Sequence, residues 1–317
     1  MGEKPKVLAV VGPTASGKTA LGAALARRFD GEIVSCDSMQ IYEGLDIATA
    51  KPTVEEMQGI PHHLIGVIPR TSAFSVADYA RLAHGKIAQI TARGRLPILV
   101  GGTGLYADTV LSGMQFTPEE GDPQVRGMLA QRLASEGTQA LYDELAALDP
   151  EAAAKIHPNN TVRLLRALEV CIRTGDTFTA YKRRNAEQTA PYESLVIGLD
   201  YEERQVLYDR IDRRVDSMLD MGLIEEVKAA RDPMMQTSAA AIGYKELLPY
   251  LDGAASLEDC IGQIKRESRR YAKRQLTWFR RNAQIQWLKL CESDEVRKIS
   301  EKAEKIIAKT GFLWYND

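Results

Sequence analysis

The stretch VVGPTASGKTAL (residues 10–21) contains the pattern G-x-x-x-x-G-K-[ST] in GPTASGKT. The run before it, KVLAVV (6–11), is uniformly apolar and reads as a buried strand. The residues after it keep helical spacing as far as Arg28 or Phe29. In that setting the loop formed by Gly12, Pro13, Thr14, Ala15, Ser16, Gly17, Lys18 and Thr19 turns its backbone N–H groups and a helix N-terminus toward one anion. Lys18 adds a point charge, and the Thr19 hydroxyl can ligate Mg²⁺. The chemistry requires only a phosphoanhydride. A diphosphate leaving group satisfies such a loop as well as a nucleotide does.

Working outward, GEIVSCD (31–37) reads as a second strand and SVADYARLAHGKIAQITARG (75–94) as a helix. Ala77, Ala80, Ala83, Ile87 and Ile90 line one face of that helix, and Gly94 ends it. LPILVGGTGLY (96–106) is a third strand entering a second glycine turn, and ESLVIGLDY (193–201) is a further strand. Strands alternating with helices imply right-handed crossovers and a parallel sheet. The expected class is therefore α/β, a P-loop NTPase-like parallel sheet flanked by helices. Ligands of such sheets bind beyond the carboxyl ends of the strands. The loop, Asp37 and the turn 101–104 should then face one pocket. Between Thr117 and Pro191 the strand pattern gives way to helical periodicity, which predicts an all-helical insertion domain. The predicted division is a first core part over 1–116, the insertion over 117–192, and a second core part over 193–317. Beyond residue 201 the remainder reads as helical, with Ile211, Val215, Met218, Gly222 and Val227 keeping one stripe.

Composition bounds the function classes. The 317 residues are 44% hydrophobic and 26% charged, ordinary for a globular protein, and no apolar run is long enough to span a membrane. The apolar start runs directly into the glycine loop, so it reads as a strand and not as a cleavable signal. Cys36, Cys171, Cys260 and Cys291 lie far apart without C-x-x-C spacing, which predicts neither zinc nor disulfides and a reducing cytoplasm. His62 and His63 have only His84 and His157 for company, so packing or hydrogen bonding is expected of them in place of metal ligation. Near-neutral overall charge (41 Lys+Arg, 43 Asp+Glu) conceals IKRESRRYAKRQLTWFRR (264–281), where Glu267 is the single acid. This helix is expected to touch phosphate backbone, although Ile264, Tyr271, Gln275, Leu276 and Phe279 also give it a packing stripe.

Asp37, at the end of the second strand, admits two roles on residues alone. It is either a Walker-B-like Mg²⁺ ligand or a general base facing the loop. Gln40 carries an amide of the kind that reads an adenine edge.

Taken together, GPTASGKT (12–19), DSMQIYEGLDIATAKPT (37–53), PHHLI (61–65), GGTGLY (101–106), NNTVRLLRALEV (159–170), RRVDSMLDMGLIEEV (213–227), AIGYKEL (241–247) and KRQLTWFR (273–280) resemble the tRNA dimethylallyltransferase (bacterial tRNA isopentenyltransferase) family. They occur in the family's order and span nearly the whole chain. The resemblance implies transfer of a dimethylallyl group from dimethylallyl diphosphate to N6 of the adenosine 3′-adjacent to the anticodon, with release of diphosphate. It implies Asp37 as base, Thr103 near the target base, Arg214 on the leaving group and Mg²⁺ as cofactor. It further implies tRNA contacts, through the anticodon stem-loop, at Asp37, Ser38, Met39, Gln40, Thr103, Arg126, Thr161, Val162, Arg163, Leu164 and Leu165. Ala241, Ile242, Gly243, Tyr244 and Lys245 complete that set. A third alanine stands at Ala240, where some relatives carry a polar residue. The expected protein is monomeric, with no membrane partner. Two rivals share parts of the pattern: an isopentenyltransferase acting on free adenine nucleotides, and a P-loop small-molecule kinase. The kinase needs neither a helical insertion nor D-S-x-Q, a mononucleotide offers too little anionic surface to need the insertion and the basic helix, and a pure RNA-binding protein needs no P-loop.

Overall fold

The computed structural model describes residues 3–114, 122–186, 189–231 and 237–313. It divides into two compact units, one of Met1–Leu111 with Pro191–Asp317 and one of Ser112–Ala190.

The first unit is built on a six-stranded sheet, β1 (Lys6–Val11), β2 (Gly31–Ser35), β3 (His62–His63), β4 (Leu96–Gly101), β5 (Glu193–Tyr201) and β6 (Gln286–Leu290), in the order β3-β2-β4-β1-β5-β6. Every pairing is parallel. A parallel sheet covered on both faces needs apolar residues at successive positions, which is why its strands read as continuous apolar runs. In β1, Val7, Ala9 and Val11 enter one core, and Leu8 and Val10 enter the other. Helices α1 (Lys18–Arg28), α2 (Val54–Met57), α3 (Val76–Ala92) and α4 (Gly104–Ser112) belong to the chain's first part. The α3 helix opens with a reciprocal cap between Ser75 and Asp78 and buries Tyr79, Ala80, Ala83, Ile87 and Ile90. The order of the sheet reverses at β1, so the P-loop leaves from its switch point.

Two expectations need correction. The chain after residue 201 is not wholly helical, because β6 pairs with β5. It is an edge strand burying only Leu288 and Leu290, so its apolar signal is thin. The stripe from Ile211 to Val227 also belongs to two helices, because Gly222 at φ +97° separates them.

The second unit contains α5 (Pro123–Leu148), α6 (Pro150–Lys155), α7 (Thr161–Thr174) and α8 (Phe178–Ala186). Gly137, at φ +82°, breaks α5 into two segments. Leu129, Leu141, Leu145, Ile156, Leu164 and Leu168 form a core of this unit's own. The predicted boundary near Thr117 falls outside the described residues.

The first unit continues with α9 (Arg204–Asp220), α10 (Leu223–Ala229), a 3₁₀ turn (Ser238–Ala240), α11 (Tyr244–Leu251), α12 (Leu257–Phe279) and α13 (Val296–Thr310). Among the described residues no helix is long and apolar enough to cross a membrane.

Candidate active site

Beyond the carboxyl ends of β1, β2 and β4 lies a cavity of about 250 Å³, lined on one side by Thr14, Lys18, Thr19 and Arg214 and on another by Asp37, Ser38 and Gln40. Its apolar wall includes Val215, Met218, Leu223, Ala241 and Ile242.

The loop's glycines are fixed by local geometry. Gly12 sits at φ +148°, and a Cβ there would come within 2.7 Å of the Leu199 carbonyl oxygen. Gly17, at φ +90°, takes the left-handed turn into α1. As α1 begins at Lys18, the amides of Lys18 and Thr19 lack intrahelical acceptors and remain for an anion. The Lys18 ammonium folds back and donates to the Pro13 carbonyl at 2.5 Å. Burial draws its pKa down to about 7; the neighbouring Arg214 adds to that effect, and Asp37 opposes it. Burial likewise lowers the pKa of Arg214, which donates to the Thr14 hydroxyl at 3.2 Å. The cation on α9 and the loop are thus already joined. A neighbour on the same helix, Arg210, donates to the Ala15 carbonyl at 2.9 Å.

Across the cavity, Asp37 Oδ1 accepts the amides of Met39 at 2.9 Å and Gln40 at 3.4 Å. Among the described residues its second oxygen has no bonded partner. The amide of Ser38 donates to the Thr103 hydroxyl at 3.0 Å, and the Thr103 amide donates to Cys36 at 3.1 Å. Thr103 therefore braces the strand end that carries Asp37. Gln40 does not offer an open amide to a base. Its Oε1 accepts from Ser35 at 3.1 Å, and its Nε2 donates to the carbonyls of Thr49 and Ala50. Met39 packs against the core beneath.

The segment 46–48 has no regular structure, and its backbone amides are held by one side chain. Glu226 of α10 accepts the amides of Asp46 (2.7 Å), Ile47 (2.6 Å) and Ala48 (3.0 Å), and the Tyr244 hydroxyl at 2.9 Å. Tyr244 is consequently buried, Gly243 opens α11 at φ +110°, and Lys245 is exposed beside Glu246. Of the stretch 241–245, Ala241 and Ile242 line the cavity.

The helical unit holds the remaining expected residues. Asn160 caps α7 by accepting the Arg163 amide at 3.2 Å, and in the first turn Thr161 is half-buried while Val162 and Arg163 are exposed. Leu164 is fully buried and Leu165 packs on the same core, so a side-chain contact from Leu164 to RNA is ruled out by burial. Arg126 and Arg166 both bind the carboxylate of Glu169, at 2.8 and 2.9 Å. Glu169 itself is only 3% exposed.

The basic helix reads differently in three dimensions. Lys265 pairs with Asp216, Arg269 with Asp212, Arg270 with Glu267 and Arg280 with Asp200. Three of those acids lie on other elements, where a reading along the helix misses them. Sequence reasoning also passed over Gln275 as a stripe residue, although it touches the loop. His62 lines the cavity with Nδ1 2.8 Å from the Ile60 carbonyl, and His63 bonds Glu32. Among the described residues no cluster of three or more His, Cys, Asp or Glu is arranged for a metal.

A phosphate-binding loop at the switch point of a parallel sheet, facing a carboxylate and an apolar wall, defines a P-loop group-transfer enzyme. The IPP transferase family model matches residues 40–282. A tRNA dimethylallyltransferase of Halalkalibacterium halodurans is 50% identical over 300 residues, covering 94% of this chain and 95% of that one. The crystal structure of a full-length tRNA isopentenylpyrophosphate transferase from Bacillus halodurans is similar with TM-score 0.72 and 48% identity, covering 96% of this chain and 97% of that one. A eukaryotic dimethylallyltransferase acting on tRNA, 29% identical, gives a TM-score of 0.82 over 96% of this chain and 78% of its own. The chain belongs to the IPP transferase family, and it is a transferase.

Proposed function

We propose that this protein transfers a dimethylallyl group from dimethylallyl diphosphate to N6 of the adenosine 3′-adjacent to the anticodon of tRNA. The observation that carries the reading is the cavity itself, which joins a phosphate loop, a carboxylate oxygen without a partner among the described residues and an apolar wall. The names of its relatives support the same conclusion.

An exocyclic adenine amine is a weak nucleophile, so the reaction needs a good leaving group and a destination for the proton. The loop amides, Lys18 and Arg214 hold the diphosphate and neutralise the charge that grows as the C1–O bond breaks. The electron pair of that bond leaves with the diphosphate. The N6–C1 bond forms, and Asp37 accepts the N6 proton through the oxygen its backbone bonds leave open. Val215, Met218, Leu223 and Ile242 keep water from the allylic carbon while positive charge develops there. Magnesium fits the residues present. The Thr19 hydroxyl lines the cavity and has no partner among the described residues, and Mg²⁺ usually arrives on substrate phosphates with few protein ligands. Bound there, it would supply further charge neutralisation for the departing diphosphate.

In the helical unit the first turn of α7 offers the amides of Thr161 and Val162 and the side chain of Arg163 to RNA phosphate. The target base must leave the anticodon-loop stack, which costs least in a single-stranded loop. The test is incubation with radiolabelled dimethylallyl diphosphate and either undermodified tRNA or AMP. Label is expected in tRNA; label in AMP alone, or in neither, would overturn the reading.

A further inference from the structure

On α12, residues 271, 275 and 278 follow the i, i+4, i+7 spacing of one helix face. All three meet the glycine turn after β4. Tyr271 lies near the side chain of Thr103. Trp278 lies over Gly104, where an added Cβ would stand 2.1 Å from its ring, and its indole N–H donates to Asp108 at 2.7 Å. Between them Gln275, 5% exposed, uses both ends of its amide. Its Oε1 accepts the Thr14 amide of the P-loop at 2.8 Å, and its Nε2 donates to the Gly102 carbonyl at 2.9 Å. The fit leaves no slack, because a Cβ on Gly102 would lie 2.1 Å from Nε2.

Gln275 is therefore one side chain spanning the two turns that carry opposite halves of the proposed chemistry. On the P-loop side, the Thr14 it fixes accepts Arg214 through its hydroxyl. On the other side, the turn it fixes carries Thr103, which holds the amide of Ser38 next to Asp37. We propose that Gln275 is a positioning residue that sets the spacing between the diphosphate-binding loop and the acceptor-side carboxylate. This rests on the donor and acceptor roles given above. Reacting atoms must approach to about 3–3.5 Å, and a misplacement of about 1 Å costs on the order of 10²-fold in rate. A residue that sets this spacing should act on the transfer step and hardly at all on binding of either substrate alone.

The experiment compares Gln275→Met, which keeps length and bulk but bonds neither turn, with Gln275→Glu, which keeps an acceptor for the Thr14 amide. Single-turnover transfer to tRNA is measured beside equilibrium binding of dimethylallyl diphosphate and of tRNA separately. The expected result for Gln275→Met is a transfer rate lower by roughly 30- to 100-fold, with both affinities within about threefold of the parent. Gln275→Glu should fall between the two, and it carries the test alone if the Met variant does not fold. A further variant, Gly102→Ala with Gln275→Ser, relieves the collision without restoring the span; it should fold and remain slow. Transfer within about threefold of the parent in both single variants would overturn the inference. So would a loss of donor affinity as large as the loss of rate, which would make Gln275 part of the loop's binding surface. The parent enzyme is the control: absent transfer there would fail the functional reading itself and not the role of Gln275.

Discussion

Asp37 is held by two backbone amides through one oxygen only, which separates its structural bonds from its proposed proton-accepting one. Asp37→Asn keeps the bonded oxygen and removes the basic one. Single-turnover transfer should fall by about 10²-fold or more while tRNA affinity is kept, the loss typical of a general base. A few-fold effect accompanied by a collapse of Mg²⁺ affinity would instead make Asp37 a metal ligand. Lys18 allows a second residue-scale prediction. With its pKa near 7 in the ligand-free protein, it is largely neutral above that value and must take up a proton to meet a diphosphate. The folded-state pKa is depressed and an anion raises it again, so donor affinity should weaken as pH rises from 7 toward 9. Calorimetric titration at pH 8 in two buffers of different ionisation enthalpy should show net proton uptake on donor binding. In Lys18→Met the uptake should vanish, and a buffer-independent heat in the parent would refute the linkage.

At the scale of elements, Arg126 and Arg166 of the helical unit do a different job from Arg163. Arg126 and Arg166 satisfy a buried carboxylate. Burial works against ionisation of Glu169, yet the bonds from Arg166 and Arg126 hold its pKa below the usual range. Their contribution to stability is complete above that usual range and is lost as pH falls through the depressed value. Replacing both with alanine strands Glu169 and should cost about 3 kcal/mol, the low end for a buried pair because Arg126 is itself half exposed. Adding Glu169→Gln should recover most of the melting temperature. If the double variant melts like the parent, the triad is not structural. Arg163, exposed at the capped start of α7, has no such duty. Arg163→Ala should leave the melting temperature alone, weaken tRNA binding and reduce the slope of log affinity against log salt by about 1. An unchanged slope would take α7 out of the phosphate-contacting surface.

For the molecule as a whole, the helical unit has its own core, and every residue lining the cavity lies in the other unit. Replacing residues 113–190 with a Gly/Ser linker should therefore spare donor binding and abolish most tRNA affinity. Donor affinity lost along with tRNA affinity would contradict that separation. The same contrast explains what the sequence could and could not disclose. The P-loop, the parallel sheet and Asp37 were legible because each is local: an apolar run, a glycine pattern or a strand end. The edge strand β6 was not, since it buries too few side chains to set a period. Gln275 was hidden because its partners, Thr14 and Gly102, lie far away in the chain and its polarity makes sense only beside them. The acids opposite Lys265, Arg269 and Arg280 were hidden for the same reason, Asp216, Asp212 and Asp200 standing on α9 and β5.

The grip of Glu226 on residues 46–48 has a consequence for how this enzyme can vary. The carboxylate holds that segment entirely by main-chain amides, which every residue except proline possesses. Glu226 thus asks nothing of the side chains there; Asp46 bonds Lys51, Ile47 packs on the core, and Ala48, with Thr49 beside it, lines the cavity. Mutation at Ala48 can change the size of the chamber without breaking the amide bonds that hold this wall to Glu226. An enzyme so arranged has a place to drift toward bulkier or smaller donors while its reaction geometry stays as inherited.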